Sequence, residues 1–139
     1  MANELFLDSS YAIALSASSD QLHLRAVDLA NDMERQPRRL ITTRAVLLEI
    51  GNALSKQRYR SAAVRLLTSM ESDPTIEVVP LTNDLYFQAF DLFRNRSDKE
   101  WGLTDCAAFV VMQARGLVEA LTSDEHFEQA GFRALLRDA

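Results

Sequence analysis

Short apolar runs alternate with longer stretches of helical periodicity along the whole chain, and this alternation restricts the fold more than any other feature. Glu4 to Asp8 (ELFLD), Leu40 to Thr42, Ile76 to Val79 and Ala120 to Thr122 read as short buried strands. A strand covered on both faces is a continuous apolar run rather than an alternating one. The intervening stretches read as amphipathic helices. The first is capped by Ser9 or Ser10. Residues 20–36 follow, with Leu22, Val27, Leu29 and Met33 in spacing and Pro37 closing the segment. Thr43 opens a helix through Val46, Ile50, Ala53 and Leu54, and another runs from about Ser61 to Met70, ahead of the Asp73-Pro74 break. Residues 82–95 carry Leu85, Phe87, Ala89, Phe90, Leu92 and Phe93. Ala107 to Ala114 is the most apolar helical run, and Gly116 ends it. A helical turn at His126 to Gln129 precedes an edge strand at Phe132 to Leu136. Strands separated by helices pair in parallel through crossovers. The expected architecture is therefore α/β: a three-layer α/β/α sandwich around a short, mainly parallel sheet.

The 139 residues, 47% of them hydrophobic, suffice for one buried core, so residues 1–139 are expected to form a single domain. A formal charge of −5 argues against nucleic-acid binding by net charge alone. Positive charge is nearly all arginine, with Lys56 and Lys99 the two lysines. It gathers at Arg35, Arg38, Arg39 and Arg44, then Arg58, Arg60 and Arg65, then Arg94 and Arg96; a planar guanidinium suits phosphates and carboxylates. Such runs are ordinarily solvated helix faces, and only their position around a site would make them more. Cys106 is the single cysteine, which excludes an intrachain disulfide and a cysteine zinc site and fits a reducing cytoplasm. No signal peptide is read at the N-terminus, and no run approaches the roughly 20 apolar residues that span a bilayer.

Four carboxylates, Asp8, Glu49, Asp105 and Asp124, stand where these elements start or stop. Ligand sites in such sheets lie beyond the carboxyl ends of the strands, so the four can converge on one rim. Each has a plainer explanation. Asp8 and Asp124 are suited to cap helices, and Asp105, after Thr104, sits where a helix dipole favours an acid. Glu49 is harder to explain, because it falls within the apolar stripe of its helix, one residue before Ile50 and three after Val46. A buried charge there needs an arginine, a proton or a metal, since an unpaired one costs on the order of several kcal/mol. Carboxylates held close together repel one another, and a divalent cation resolves the conflict. Hard oxygen ligands suit Mg²⁺, with Mn²⁺ as substitute, and a carboxylate metal site is common apparatus for phosphodiester hydrolysis.

The order of these segments, LFLDSS at 5–10, LLEIGNAL at 47–54, DKEWGLTDCAAFVVMQ at 98–113 and LTSDEHFEQAGF at 121–132, resembles the PIN domain, and within it the VapC-like ribonucleases of type II toxin–antitoxin modules. The resemblance covers nearly the whole length. It implies a compact α/β/α, Mg²⁺-dependent endoribonuclease in which Asp8, Glu49, Asp105 and Asp124 form the acidic quartet. It also implies that Thr104, before the third acid, holds that acid or the metal's water, and that Asn52, one turn after Glu49, stands behind the ligands. Gly102 departs from the serine expected there. His23 and His126 match no catalytic position in the family and read as structural or surface residues, and Cys106 reads as core. The resemblance further implies an RNA substrate, a homodimer, and a cognate antitoxin that places a basic side chain against the acids. Phe93 and Trp101 are candidate dimer contacts or core, with core favoured for Phe93. Two other classes compete. A receiver-like phosphoacceptor domain needs a late lysine that this chain lacks, and a catalytically silent PIN-fold protein or RNA binding module would have no use for intact acids.

Overall fold

A computed structural model describes residues 4–138. Five strands form one all-parallel sheet in the order β3-β2-β1-β4-β5, with β1 at Glu4–Leu7, β2 at Arg39–Thr43, β3 at Ile76–Val79, β4 at Glu119–Leu121 and β5 at Arg133–Ala134. The helices between them are α1 (Ser9–Ser16), α2 (His23–Arg35), α3 (Arg44–Ala53), α4 (Gln57–Ser72), α5 (Asn83–Asn95), α6 (Leu103–Arg115) and α7 (Glu125–Gln129). The chain steps outward from β1 through β2 to β3, then crosses back to place β4 on the other side of β1. Right-handed crossovers put the helices of the first two connections on one face and those of the last two on the other. The contacts agree: α1 packs on α2 and α3 on α4, while α6 packs on both α5 and α7.

The apolar strands divide between these layers by the two-residue period of the chain. Leu7 and Leu40 face a groove walled by α1, α2 and α4, whereas Phe6 turns the other way and meets Phe127 of α7, ring centroids 6.0 Å apart. Phe109 of α6 packs edge-on against both Phe127 and Trp101, each at 5.0 Å. Such pairs add roughly 0.5–1.5 kcal/mol each beyond their area burial. The cluster fixes α6 and α7 relative to β1. Trp101, fully packed, also donates its indole N–H to Gln129 Oε1 at 3.0 Å, so it belongs to the core. Cys106 is core as well, and burial pushes its thiol up to about 11.

Several boundaries differ from the sequence reading for identifiable reasons. Thr43 and Thr82 cap α3 and α5, accepting from the backbone N–H of Val46 and Leu85 at 3.2 and 3.1 Å. Neither Ser9 nor Ser10 is the cap of α1, however. Asp8 occupies that position, and its side chain makes no capping bond. The cap of α6 is Gly102. Gly116 ends α6 in the left-handed region at φ 67°, where a side chain would be strained. Phe93, favoured as core, is exposed. Only the Leu85 and Ala89 side of α5 is buried, and its aromatic side faces outward. Among the described residues no helix is long and apolar enough to cross a membrane.

A candidate metal centre at the carboxyl rim of the sheet

Where the chain reverses direction, β1 and β4 lie side by side and their following loops part, leaving a crevice at their carboxyl ends. Asp8 follows β1 directly and Asp124 lies just past β4. Glu49 reaches the same rim from the middle of α3, and Asp105 from the first turn of α6. Their charges act across the rim. The charge on Glu49 acts on Asp8, those on Asp105 and Asp124 act on Glu49, and those on Asp124 and Asp8 act on Asp105.

Hydroxyl groups set two of the four side chains in place, and backbone N–H groups the other two. Asp8, only 5% exposed, accepts from Thr122 Oγ1 at 2.7 Å and from Ser10 Oγ at 3.2 Å. Thr122 is in turn fixed by the Asp124 N–H at 3.0 Å, and Ser10 by the Ser123 N–H at 3.0 Å. The β4–α7 loop is thereby tied to the start of α1. Ser9 donates to Glu49 Oε1 at 2.6 Å. The two serines after Asp8 thus each serve a different acid. Asp105 accepts the Gly102 N–H at 3.2 Å, and Asp124 accepts the His126 N–H at 2.9 Å, capping α7. The capping role open to Asp124 and the first-turn position open to Asp105 in the sequence are therefore real, and both are compatible with ligation because a carboxylate has two oxygens.

The electrostatics show what the cluster lacks. Burial is the main reason the Asp8 carboxyl is pushed up to about 6, and the charge of Glu49 adds to it against the lowering bonds from Thr122, the Ser9 backbone and Ser10. Burial likewise raises Glu49 and Asp105, each helped by its acidic neighbours. Among the described residues no arginine or lysine pairs with any of the four. The arginine partner that would have explained Glu49 structurally is absent there. Crowded, partly desolvated oxygen donors without a counter-charge among the described residues are the donor set a hard divalent cation fits, and Asp8, Glu49, Asp105 and Asp124 are the candidates to hold it.

The two residues expected behind the ligands occupy one small cavity of about 360 Å³ beside the acids, lined by Glu49, Asn52, Thr104 and the apolar Leu48, Leu81 and Tyr86. Thr104 makes no hydrogen bond to Asp105 among the described residues, and Asn52 is solvent-exposed. Four residues that the sequence reading did not assign to the site prove to be part of it. Ser9, Ser10 and Thr122 hold acids, and their hydroxyls beside an Asp in LDSS and LTSD were the available signal. His126 is the fourth: its Nδ1 lies 3.2 Å from Asp105 Oδ2 and 3.3 Å from Asp124 Oδ1. Ligand atoms of Asp105, Asp124 and His126 all fall within 4.8 Å of one another. His23 is structural, as expected, with Nδ1 2.8 Å from the Ala14 carbonyl.

Comparison with known proteins places this arrangement. The 23S rRNA-specific endonuclease VapC20 of Mycobacterium tuberculosis, in strains CDC 1551 and H37Rv, is 28% identical over 128 residues, covering 92% of this chain and 95% of the relative. The crystal structure of M. tuberculosis VapC20, described as a sarcin–ricin loop cleaving toxin, superposes with a TM-score of 0.83 at 27% identity over 92% of this chain and 95% of that one. VapBC2 from Rickettsia felis, bound to a DNA fragment from its promoter, superposes at 0.65 with 13% identity over 94% of this chain and 96% of that one, a likeness of fold alone. The model of the PIN domain matches residues 5–133, a span that includes all four acids, and the chain belongs to the PIN domain family.

Proposed function

We propose that the protein is a divalent-metal-dependent endoribonuclease acting in the cytoplasm, the toxin half of a toxin–antitoxin pair, with Mg²⁺ held by Asp8, Glu49, Asp105 and Asp124. The observation that carries this reading is the convergence of four carboxylates, without a lysine or arginine partner among the described residues, at the switch point of a parallel sheet. When bound, the cation polarises the phosphoryl oxygen, activates water and offsets charge on the leaving 3′-oxygen. The chain's own part is preorganisation. Ser9 fixes the Glu49 rotamer, Thr122 and Ser10 fix Asp8, and the Gly102 and His126 N–H groups fix one oxygen each of Asp105 and Asp124.

RNA must approach this acidic rim against a net negative charge, so the arrangement of arginines matters. Arg35, Arg38, Arg39, Arg44, Arg94 and Arg96 are committed to carboxylates. Arg58, Arg60 and Arg65 are exposed on α4 and pair with no carboxylate among the described residues. Arg58 and Arg65, seven residues apart, share one face of α4, cations suited to backbone phosphates rather than to base identity.

Purified protein incubated with structured and unstructured RNAs, including a sarcin–ricin-loop oligonucleotide, tests the reading directly. Cleavage is expected with Mg²⁺ or Mn²⁺ and none with EDTA. Absence of cleavage under every condition, with metal still bound, would favour a catalytically silent RNA or protein binding module.

Two partners follow from the same reading. The exposed face of α5 carries Tyr86, Phe87, Phe90 and Phe93, with Phe87 60% exposed, and Leu48 and Leu103 lie exposed on neighbouring helices. Contiguous apolar surface of this kind marks an interface, and we assign it to a homodimer. Phe87→Glu is expected to give a monomer by light scattering at micromolar concentration; an unchanged dimer would remove α5 from the interface. The antitoxin is proposed to lay an apolar segment in the groove of about 460 Å³ between α1, α2 and α4, lined by Leu15, Met33, Leu66 and Met70.

A further inference from the structure

We propose that His126 is a positioning residue that ties the third acid to the fourth, and that the metal affinity of the site depends on it. The inference rests on the metal-site reading above. Capping accounts for the backbone contacts here: Asp124 takes the His126 N–H and Asp105 takes the Gly102 N–H. It does not account for an imidazole nitrogen set between the two carboxylates, 3.2 Å from Asp105 Oδ2 and 3.3 Å from Asp124 Oδ1. An ionised carboxylate oxygen only accepts, so with both acids ionised the ring nitrogen between them is the donor. A single N–H serves one acceptor well. It bonds Asp105 and leaves its second contact, with Asp124, electrostatic.

The oxygens involved separate clamping from ligation. Asp105 Oδ2 receives both the Gly102 N–H and the His126 ring, and Asp124 Oδ1 receives both the backbone and the ring of His126. Among the described residues Asp105 Oδ1 and Asp124 Oδ2 take no hydrogen bond. One oxygen of each acid is thus held by the protein, and the other is left for a cation. Two acids reached from different helices, 19 residues apart in the chain (105 to 124), are held in one geometry by a single side chain whose neighbour, Phe127, is buried in the aromatic core. Groups that orient metal ligands in this way commonly account for 10–100-fold in affinity.

The test is Mn²⁺ binding, followed by the loss of the free-ion electron paramagnetic resonance signal on titration. His126→Ala is expected to weaken binding ~10–100-fold, with its melting temperature in EDTA close to that of wild type. His126→Asn, which returns an N–H near the position of Nδ1, should recover most of that loss. Pulsed measurements on wild type with Mn²⁺ bound should show no directly coordinated imidazole nitrogen. An alanine variant that binds as wild type, or an asparagine variant as weak as alanine, would overturn the inference. A strong ¹⁴N coupling would also overturn it, by making His126 a ligand. A wild type that binds no Mn²⁺ would remove the metal reading itself, and this inference with it.

Discussion

Asp8→Asn is expected to reduce metal-dependent RNA cleavage on the order of 10³-fold, the range seen when one preorganised charge-stabilising group is lost from an active site. Asparagine keeps the shape and can still accept from Thr122 and Ser10, the two contacts that place Asp8. The fold and the β4–α7 loop should therefore survive. What is lost is one negative charge and one hard anionic oxygen at the most buried position of the cluster, where the dielectric is lowest and a charge acts most strongly. Asp105→Asn should behave alike, because it also keeps the Gly102 contact. Purified variants with circular dichroism like that of wild type, assayed beside it in Mg²⁺, provide the measurement. Full activity in both would remove these acids from the site, whatever the fate of the ribonuclease reading.

The central strands were legible because they are buried on both faces, which leaves short apolar runs such as Leu5-Phe6-Leu7 between amphipathic stretches. The acids were legible for a related reason: Glu49 interrupts an apolar stripe, and Asp8 ends an apolar strand. The contacts that make them a site were not. Thr122 meets Asp8 across 114 positions of sequence and His126 meets Asp105 across 21, and no local period carries such pairings. A histidine two residues after a capping aspartate looks the same in sequence whether its ring faces solvent or a second acid. The orientation of α5 escaped for a different reason. Its apolar residues cover more than half of the helix circumference, so periodicity alone could not separate Leu85 and Ala89, which are buried, from Phe87, Phe90 and Phe93, which are not.

The metal-free protein is expected to be less stable at pH 7 than at pH 5 on account of its own site, and Asp8→Asn should be the more stable protein without metal. Asp8 titrates at about 6 in the fold against 3.8 when unperturbed. Between those values the folded state holds a proton that the unfolded state has released. Stability from this group therefore falls as pH rises through the window, is unaffected below it, and is fully reduced above about 6. A displacement of this size corresponds to ~3 kcal/mol at neutral pH. Glu49 and Asp105 are raised as well and act with the same sign. In a domain of this length ~3 kcal/mol is worth roughly 10 °C in melting temperature. In EDTA the Asn variant should therefore melt above wild type at pH 7.5, with the gap closing toward pH 4. Saturating Mg²⁺ should reverse the order at neutral pH, because the cation binds the folded wild type and offsets the cost of burying the Asp8 charge, a charge the variant does not carry. A metal-free variant that melts at or below wild type at pH 7.5 would show that Asp8 is stabilising in its own right. The hydroxyls of Thr122 and Ser10 would then suffice to compensate its charge, and the argument that this cluster requires a cation would lose its energetic basis.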